Sequence, residues 1–182
     1  MTGRYCKFKE AFYALKHTYN RQNTNILKIK QMENYQTSDP HVDSQISDVI
    51  YTAKTHTTGG RDGGSSRTSD GRLDIKLSVP GTPGNGTNPE QLLAAGWSAC
   101  FFSAMKIEAA KMKVRFPVDG AVDAEVDLHM SDKDGYYLSA RLNISLPGVD
   151  RQVAQALADA GHRTCPYSKA THGNINVETY LI

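Results

Sequence analysis

The sequence predicts an α+β protein built on antiparallel sheet, and three observations carry that reading. Two stretches, VDAEVDLHM and YLSARLNISL, alternate apolar and polar residues on either side of an Asp-Gly pair, the pattern of a half-buried hairpin. A third stretch, NPEQLLAAGWSACFFSAM, opens with helix-start chemistry and then stays apolar without alternating. The segments follow one another as strands, helix, strands, helix, strand, an order that suits helices packed on an antiparallel sheet.

Residues 1–45 form a compositional zone of their own, and residues 46–182 read as one domain. Within residues 1–30, seven Lys or Arg stand against the single acid Glu10. Tyr5, Phe8, Phe12, Leu15 and Tyr19 fall three or four apart there and would line one face of a basic amphipathic helix. An organelle presequence has that character, although this one lacks the usual Ser and prefers Lys to Arg. An extension without fixed structure is the other reading. No signal-peptide core is present, so the expected location is cytoplasmic, or mitochondrial if residues 1–45 are a presequence.

From position 48, DVIYTAKTHTT and RLDIKLSV read as two strands joined by a polar loop that contains GGRDGG. The run VPGTPGNGTN is a surface loop leading into the next element. There Asn88 is the predicted N-cap, Pro89 the first helical residue and Gln91 the third residue after the cap. The first half of this helix is apolar nearly all round, so a sheet must wrap it or a second subunit must cover what the sheet leaves bare. After the hairpin, VDRQVAQALADAG places Val149, Val153, Ala156, Leu157 and Ala160 on one helical face, with Gly161 expected as the residue that ends the helix. Pro166 then biases Cys165 toward an extended turn. The closing NINVETYLI reads as a last strand.

Composition narrows the function classes. A chain of 182 residues with 39% hydrophobic and 22% charged residues is an ordinary globular protein with one core. Its net charge of +2 includes +6 from residues 1–30, leaving −4 for the rest, which argues against a phosphate-binding surface and hence against nucleic acid. Three cysteines without CxxC or Cys/His spacing make neither a disulfide-stapled scaffold nor a zinc site. The longest apolar run, residues 92–105, is interrupted by Gly96, Ser98 and Ser103 and falls short of the ~20 residues a membrane span needs.

The residue that invites chemistry is Cys100, which ends the apolar run GWSAC. Apolar burial raises a thiol pKa, and only the thiolate is a good nucleophile. Left alone, Cys100 would be an inert small hydrophobe in a helix interface. Cys165, 65 positions on in a turn, could supply a resolving thiol, while Arg61 on the glycine-rich loop and Glu90 in the first helical turn could supply a cation and its anchor. GWSAC lacks the second glycine of a nucleophile elbow, and GTPGNG has neither GxGxxG nor a Walker lysine, so serine hydrolysis and nucleotide binding are weak readings. The six histidines, His17, His41, His56, His129, His162 and His172, show no metal spacing and read mostly as surface or turn residues.

Taken together, NPEQLLAAGWSACFFSAM, CPYSKATHGNINV, TTGGRDG and LDIKLSVP resemble the organic hydroperoxide resistance (Ohr) branch of the Ohr/OsmC family, from about position 49 to the C-terminus. The resemblance implies an intertwined homodimer whose sheets wrap central helices, with paired sites at the subunit interface. It implies a thiol peroxidase that reduces organic and fatty-acyl hydroperoxides to alcohols and is recycled by a dihydrolipoyl-bearing protein or dihydrolipoamide, with no bound cofactor or metal. By motif, Cys100 would be the peroxidatic cysteine, Cys165 the resolving one, Arg61 the activator of the thiolate and Glu90 the holder of Arg61. Lys169 and His172 depart from the pattern, which has asparagine and arginine there.

Glu90 and Cys100 lie ten residues apart, about 15 Å along one straight helix. Arg61 must bridge part of that gap, the helix must begin later, or Glu90 must serve a partner's cysteine. An OsmC-type peroxidase, a non-enzymatic thiol redox sensor and an acyl-chain binding module are the competing readings.

Overall fold

In the computed structural model residues 48–182 are described, and the fold is that of the unit Thr52–Ile182. The expectations for residues 1–45 lie outside the described residues. The elements are β1 (Thr55–Thr58), β2 (Ser65–Thr68), β3 (Asp74–Lys76), α1 (Pro89–Lys111), β4 (Ala121–Ser131), β5 (Gly135–Ser145), α2 (Arg151–Thr164), α3 (Pro166–Thr171) and β6 (Asn176–Leu181). They form two three-stranded sheets, β1-β2-β3 and β4-β5-β6.

The first sheet corrects the expectation of two strands and a loop. SSRT, read as loop because it is short and polar, pairs with β1 on one side and β3 on the other. Its side chains are at most half-buried and those of β1 are exposed, so no apolar alternation exists for a sequence pattern to reveal. The 79–88 segment is the expected loop, anchored where Ser78 N–H donates to the Thr87 carbonyl at 2.8 Å and Thr87 N–H to that of Lys76 at 2.9 Å.

α1 starts where predicted. Asn88 is extended, and its side-chain oxygen accepts from the Gln91 backbone N–H at 2.9 Å, with Pro89 opening the helix. The Gln91 side chain does not return to the cap; it accepts from the Thr87 hydroxyl at 2.7 Å. Trp97, Phe101 and Met105 repeat every four residues on the buried face and have no solvent exposure. They meet Leu142 and Ile144 of β5 and Leu157 and Ala158 of α2 in one core. Burying each of the larger side chains is worth about 1.5–3 kcal/mol against leaving it in water.

The β4/β5 hairpin keeps the predicted pairing, from Ala121 opposite Ser145 to Ser131 opposite Gly135. Residues 132–134 connect the strands, and Gly135 follows with φ +69°, so the turn is a three-residue loop closed by a left-handed glycine. β6 runs parallel to β5, which makes this sheet mixed instead of purely antiparallel. The chain returns through two helices before β6, enough length for a parallel crossover.

Gly161 does not end a helix. α2 continues to Thr164, and Gly161 lies inside it, buried against α1: a Cβ there would sit 2.8 Å from Met105 Cγ and 3.3 Å from Phe101 Cε2. Glycine is therefore present for close helix packing. Ala156, expected on the buried face, is exposed, while Ala154 and Ala158 are buried. Among the described residues no helix is long and apolar enough to cross a membrane.

Candidate active site

Cys165 sits at the junction between two helices. It has extended geometry (φ −67°, ψ 121°), as Pro166 requires, and it caps α2 and starts α3 at once. Its N–H donates to the Gly161 carbonyl at 2.8 Å and its carbonyl accepts from Lys169 N–H at 3.0 Å, which fixes the backbone on both sides. Cys165 is extended as expected, and the residues after it fold into the short helix α3.

This junction brings the Cys165 thiol, wholly buried, to 3.3 Å from the half-buried Cys100 sulfur on α1. Both cysteines are free. A disulfide needs a separation of about 2.05 Å, so the sulfurs would close by about 1.3 Å, within reach of side-chain rotation and a small shift of α3.

Burial is the first cause that pushes the Cys100 thiol above the usual cysteine range, and the hydrogen bond with Cys165 adds to it. The backbone N–H of Tyr167, in the first turn of α3, acts the other way, and the charge of an ionised Cys165 would raise it further. Among the described residues Arg61 makes no hydrogen bond to either sulfur.

Arg61 follows Gly59 and Gly60, both with positive φ, which turn the chain sharply at the end of β1. Its Nη2 donates to Glu90 Oε1, forming an ion pair in which the arginine is 34% and the glutamate 13% exposed. Glu90 lies in the first turn of α1, where the helix dipole favours a negative charge. Its other oxygen, Oε2, is buried and accepts no hydrogen bond among the described residues.

The four sequence-predicted site residues are thus brought together as two pairs, Cys100 with Cys165 and Arg61 with Glu90. α1 begins at Pro89, so the alternative of a later helix start is removed, and Glu90 stays about three turns from Cys100 on one helix.

The sequence reading passed over a polar network beside the dithiol. Trp97 Nε1 donates to Ser168 Oγ at 3.1 Å, Ser168 Oγ also bonds His162 Nδ1 at 3.1 Å, and His162 Nε2 bonds Thr179 Oγ1 at 2.9 Å. The imidazole packs on Phe101 with ring centroids 4.5 Å apart. Burial is the main cause that holds His162 below its ordinary pKa; Asp159 opposes this and the charge of His172 reinforces it. The available signal was its position three residues before Cys165, on the helix that carries Cys165 into place. Of the other histidines, His129 stacks on Tyr137 and bonds Ser139, while His56 and His172 are exposed; His17, His41 and Cys6 lie outside the described residues. Among the described residues no group of three or more His, Cys, Asp or Glu is placed to hold a metal ion.

Comparison with known proteins places this geometry. Residues 81–180 match the family model described as OsmC-like protein. The chain is 46% identical over 137 residues to the organic hydroperoxide resistance protein of Xanthomonas axonopodis pv. citri, an alignment covering 73% of this chain and 95% of that relative. It is 38% identical over 137 residues to organic hydroperoxide resistance protein OhrB of Bacillus subtilis, covering 73% and 98%. The crystal structure of that OhrB superposes with a TM-score of 0.69 at 37% identity, over 74% of this chain and all of the other. With the fold, the cysteine contexts and these relatives in agreement, the chain belongs to the OsmC-like family, in its organic hydroperoxide resistance branch.

Proposed function

We propose that this protein is a cysteine-based peroxidase that reduces organic hydroperoxides, fatty-acyl ones included, to alcohols. The observation that carries the reading is the 3.3 Å approach of two free thiols drawn from distant parts of the chain, in a fold shared with proteins named for organic hydroperoxide resistance. The Cys100 thiolate attacks the terminal peroxide oxygen, the O–O bond breaks, and the alkoxide takes a proton and leaves as the alcohol. Cys100 becomes a sulfenic acid, oxidised by two electrons. The Cys165 thiol condenses with it, expelling water and forming the disulfide. A dihydrolipoyl group on a partner protein, or free dihydrolipoamide, then reopens that bond by thiol exchange and is itself oxidised to the cyclic disulfide.

Arg61 would hold the Cys100 thiolate ionised, against the burial that raises its pKa, with Glu90 orienting the guanidinium. Because Arg61 pairs with Glu90, about three helical turns from Cys100, and makes no hydrogen bond to either sulfur among the described residues, the arrangement we favour is a homodimer in which each Arg61–Glu90 pair serves the other subunit's dithiol. The buried Glu90 Oε2, without a hydrogen-bond partner among the described residues, supports this, since a donor from a second subunit would satisfy it.

The test is turnover by anaerobically reduced protein given cumene hydroperoxide or hydrogen peroxide with dihydrolipoamide. The expected result is fast consumption of the organic peroxide, slower consumption of hydrogen peroxide and no turnover by Cys100→Ser. Cys165→Ser should react once and then stall. Co-refolding inactive Cys100→Ser with Arg61→Ala should restore part of the activity. A single oxidation with no repeated turnover in the parent would mean a redox sensor instead, and unchanged turnover by Cys100→Ser would end the proposal.

A further inference from the structure

A cavity of about 700 Å³ opens beside the Trp97–Ser168–His162 network, between α1, the end of α2, α3 and β6. Neither Cys100 nor Cys165 lines it, and neither does Arg61 or Glu90. Its volume is that of a small-molecule site.

The lining divides by burial. In the depth lie the half-buried Ile175 and Val177, with the indole of Trp97, which has no solvent exposure, packed behind them. The polar groups at that depth are already occupied with one another, since Ser168 takes the Trp97 and His162 bonds and Thr179 takes the other imidazole nitrogen. The interior therefore offers apolar surface and few free hydrogen-bonding groups, which disfavours sugars and other neutral polar ligands. At the mouth stand the exposed Arg163, Lys169 and His172, and no Asp or Glu is among the lining residues. Among the described residues neither Arg163 nor Lys169 has a carboxylate within ion-pair distance.

From this division we infer that the cavity is a binding site for an organic carboxylate with an apolar body, its head group held at the mouth by Arg163, Lys169 and His172 and its chain lying against Ile175 and Val177. Neither cysteine lines the site, and the inference does not depend on the peroxidase reading.

Trp97 is the only tryptophan of the chain and so reports on this cavity alone by its fluorescence. The experiment titrates the full chain with dodecanoate, below its micellar concentration, and follows Trp97 emission. Saturable change is expected, with dodecanol and dodecyltrimethylammonium at least tenfold weaker. The doubly substituted Lys169→Gln, His172→Gln protein, altered only at exposed positions, should bind dodecanoate at least fivefold more weakly with an unchanged circular dichroism spectrum. Arg163→Gln gives a second, independent reading of the same loss. Cys100→Ser should bind within twofold of the parent, which separates this site from the dithiol whatever the peroxidase assay returns. No saturable change, equal binding of dodecanol, undiminished affinity in both charge-removing variants, or loss of binding with Cys100→Ser would each overturn the inference.

Discussion

Replacing Gly161 with alanine adds one methyl group where two helices touch. The new Cβ would lie 2.8 Å from Met105 Cγ and 3.3 Å from Phe101 Cε2. Carbon atoms prefer about 3.5–4.0 Å, so α1 and α2 must separate by a good fraction of an ångström or Met105 must leave its rotamer. Overpacking of this kind costs about 1–3 kcal/mol. Alanine returns about 1 kcal/mol of helix propensity over glycine, since Gly161 is a helix-interior residue. The net loss is therefore about 0–2 kcal/mol, too broad to decide anything alone. The decisive quantity is the coupling. In a Met105→Ala background the obstructing Cγ is gone, and Gly161→Ala should then stabilise the protein by about 1 kcal/mol. Urea unfolding of the parent, both single variants and the double variant, with m-values compared, measures this as a coupling of about 1–3 kcal/mol. Additivity within about 0.5 kcal/mol would refute the close packing described here. The site should feel the same substitution: Phe101 adjoins Cys100 and the Gly161 carbonyl holds Cys165, so spreading α1 from α2 draws the sulfurs apart and slows disulfide closure.

Two further outcomes are expected. His162 is held below its ordinary pKa, so the unfolded chain takes up the proton first as pH falls; the imidazole's contribution is complete above about pH 6.5 and is lost as pH drops from there toward the folded-state value. Melting temperatures from pH 8 to 5 should show a decline that is shallower in His162→Gln, and identical slopes would count against the buried neutral imidazole. Asn88→Ala removes the α1 cap and should lower stability by about 0.5–2 kcal/mol with an unchanged m-value, whereas Asn88→Asp should retain most of it, both read from urea midpoints.

What the sequence by itself determined are the features whose cause lies within a few neighbouring residues. The α1 start is written in Asn88, Pro89 and Gln91, the hairpin in its alternation and Asp-Gly pair, and the extended Cys165 in the proline that follows it. Cys100, Cys165, Arg61 and Glu90 were legible as chemistry-bearing types in family-like motifs. The tertiary structure decided what depends on residues arriving from elsewhere. β2 is a strand only because β1 and β3 flank it, and β6 is parallel because two helices carry the chain back across the sheet. Gly161 looked like a helix end because glycine serves both purposes, and only the presence of Met105 and Phe101 across the interface selects close packing. His162 gave no local sign of burial, since Phe101, Ser168 and Thr179 reach it from three other elements. The meeting of the two sulfurs is of this second kind: it is set by how closely two helices cross, a distance that no short window of sequence contains.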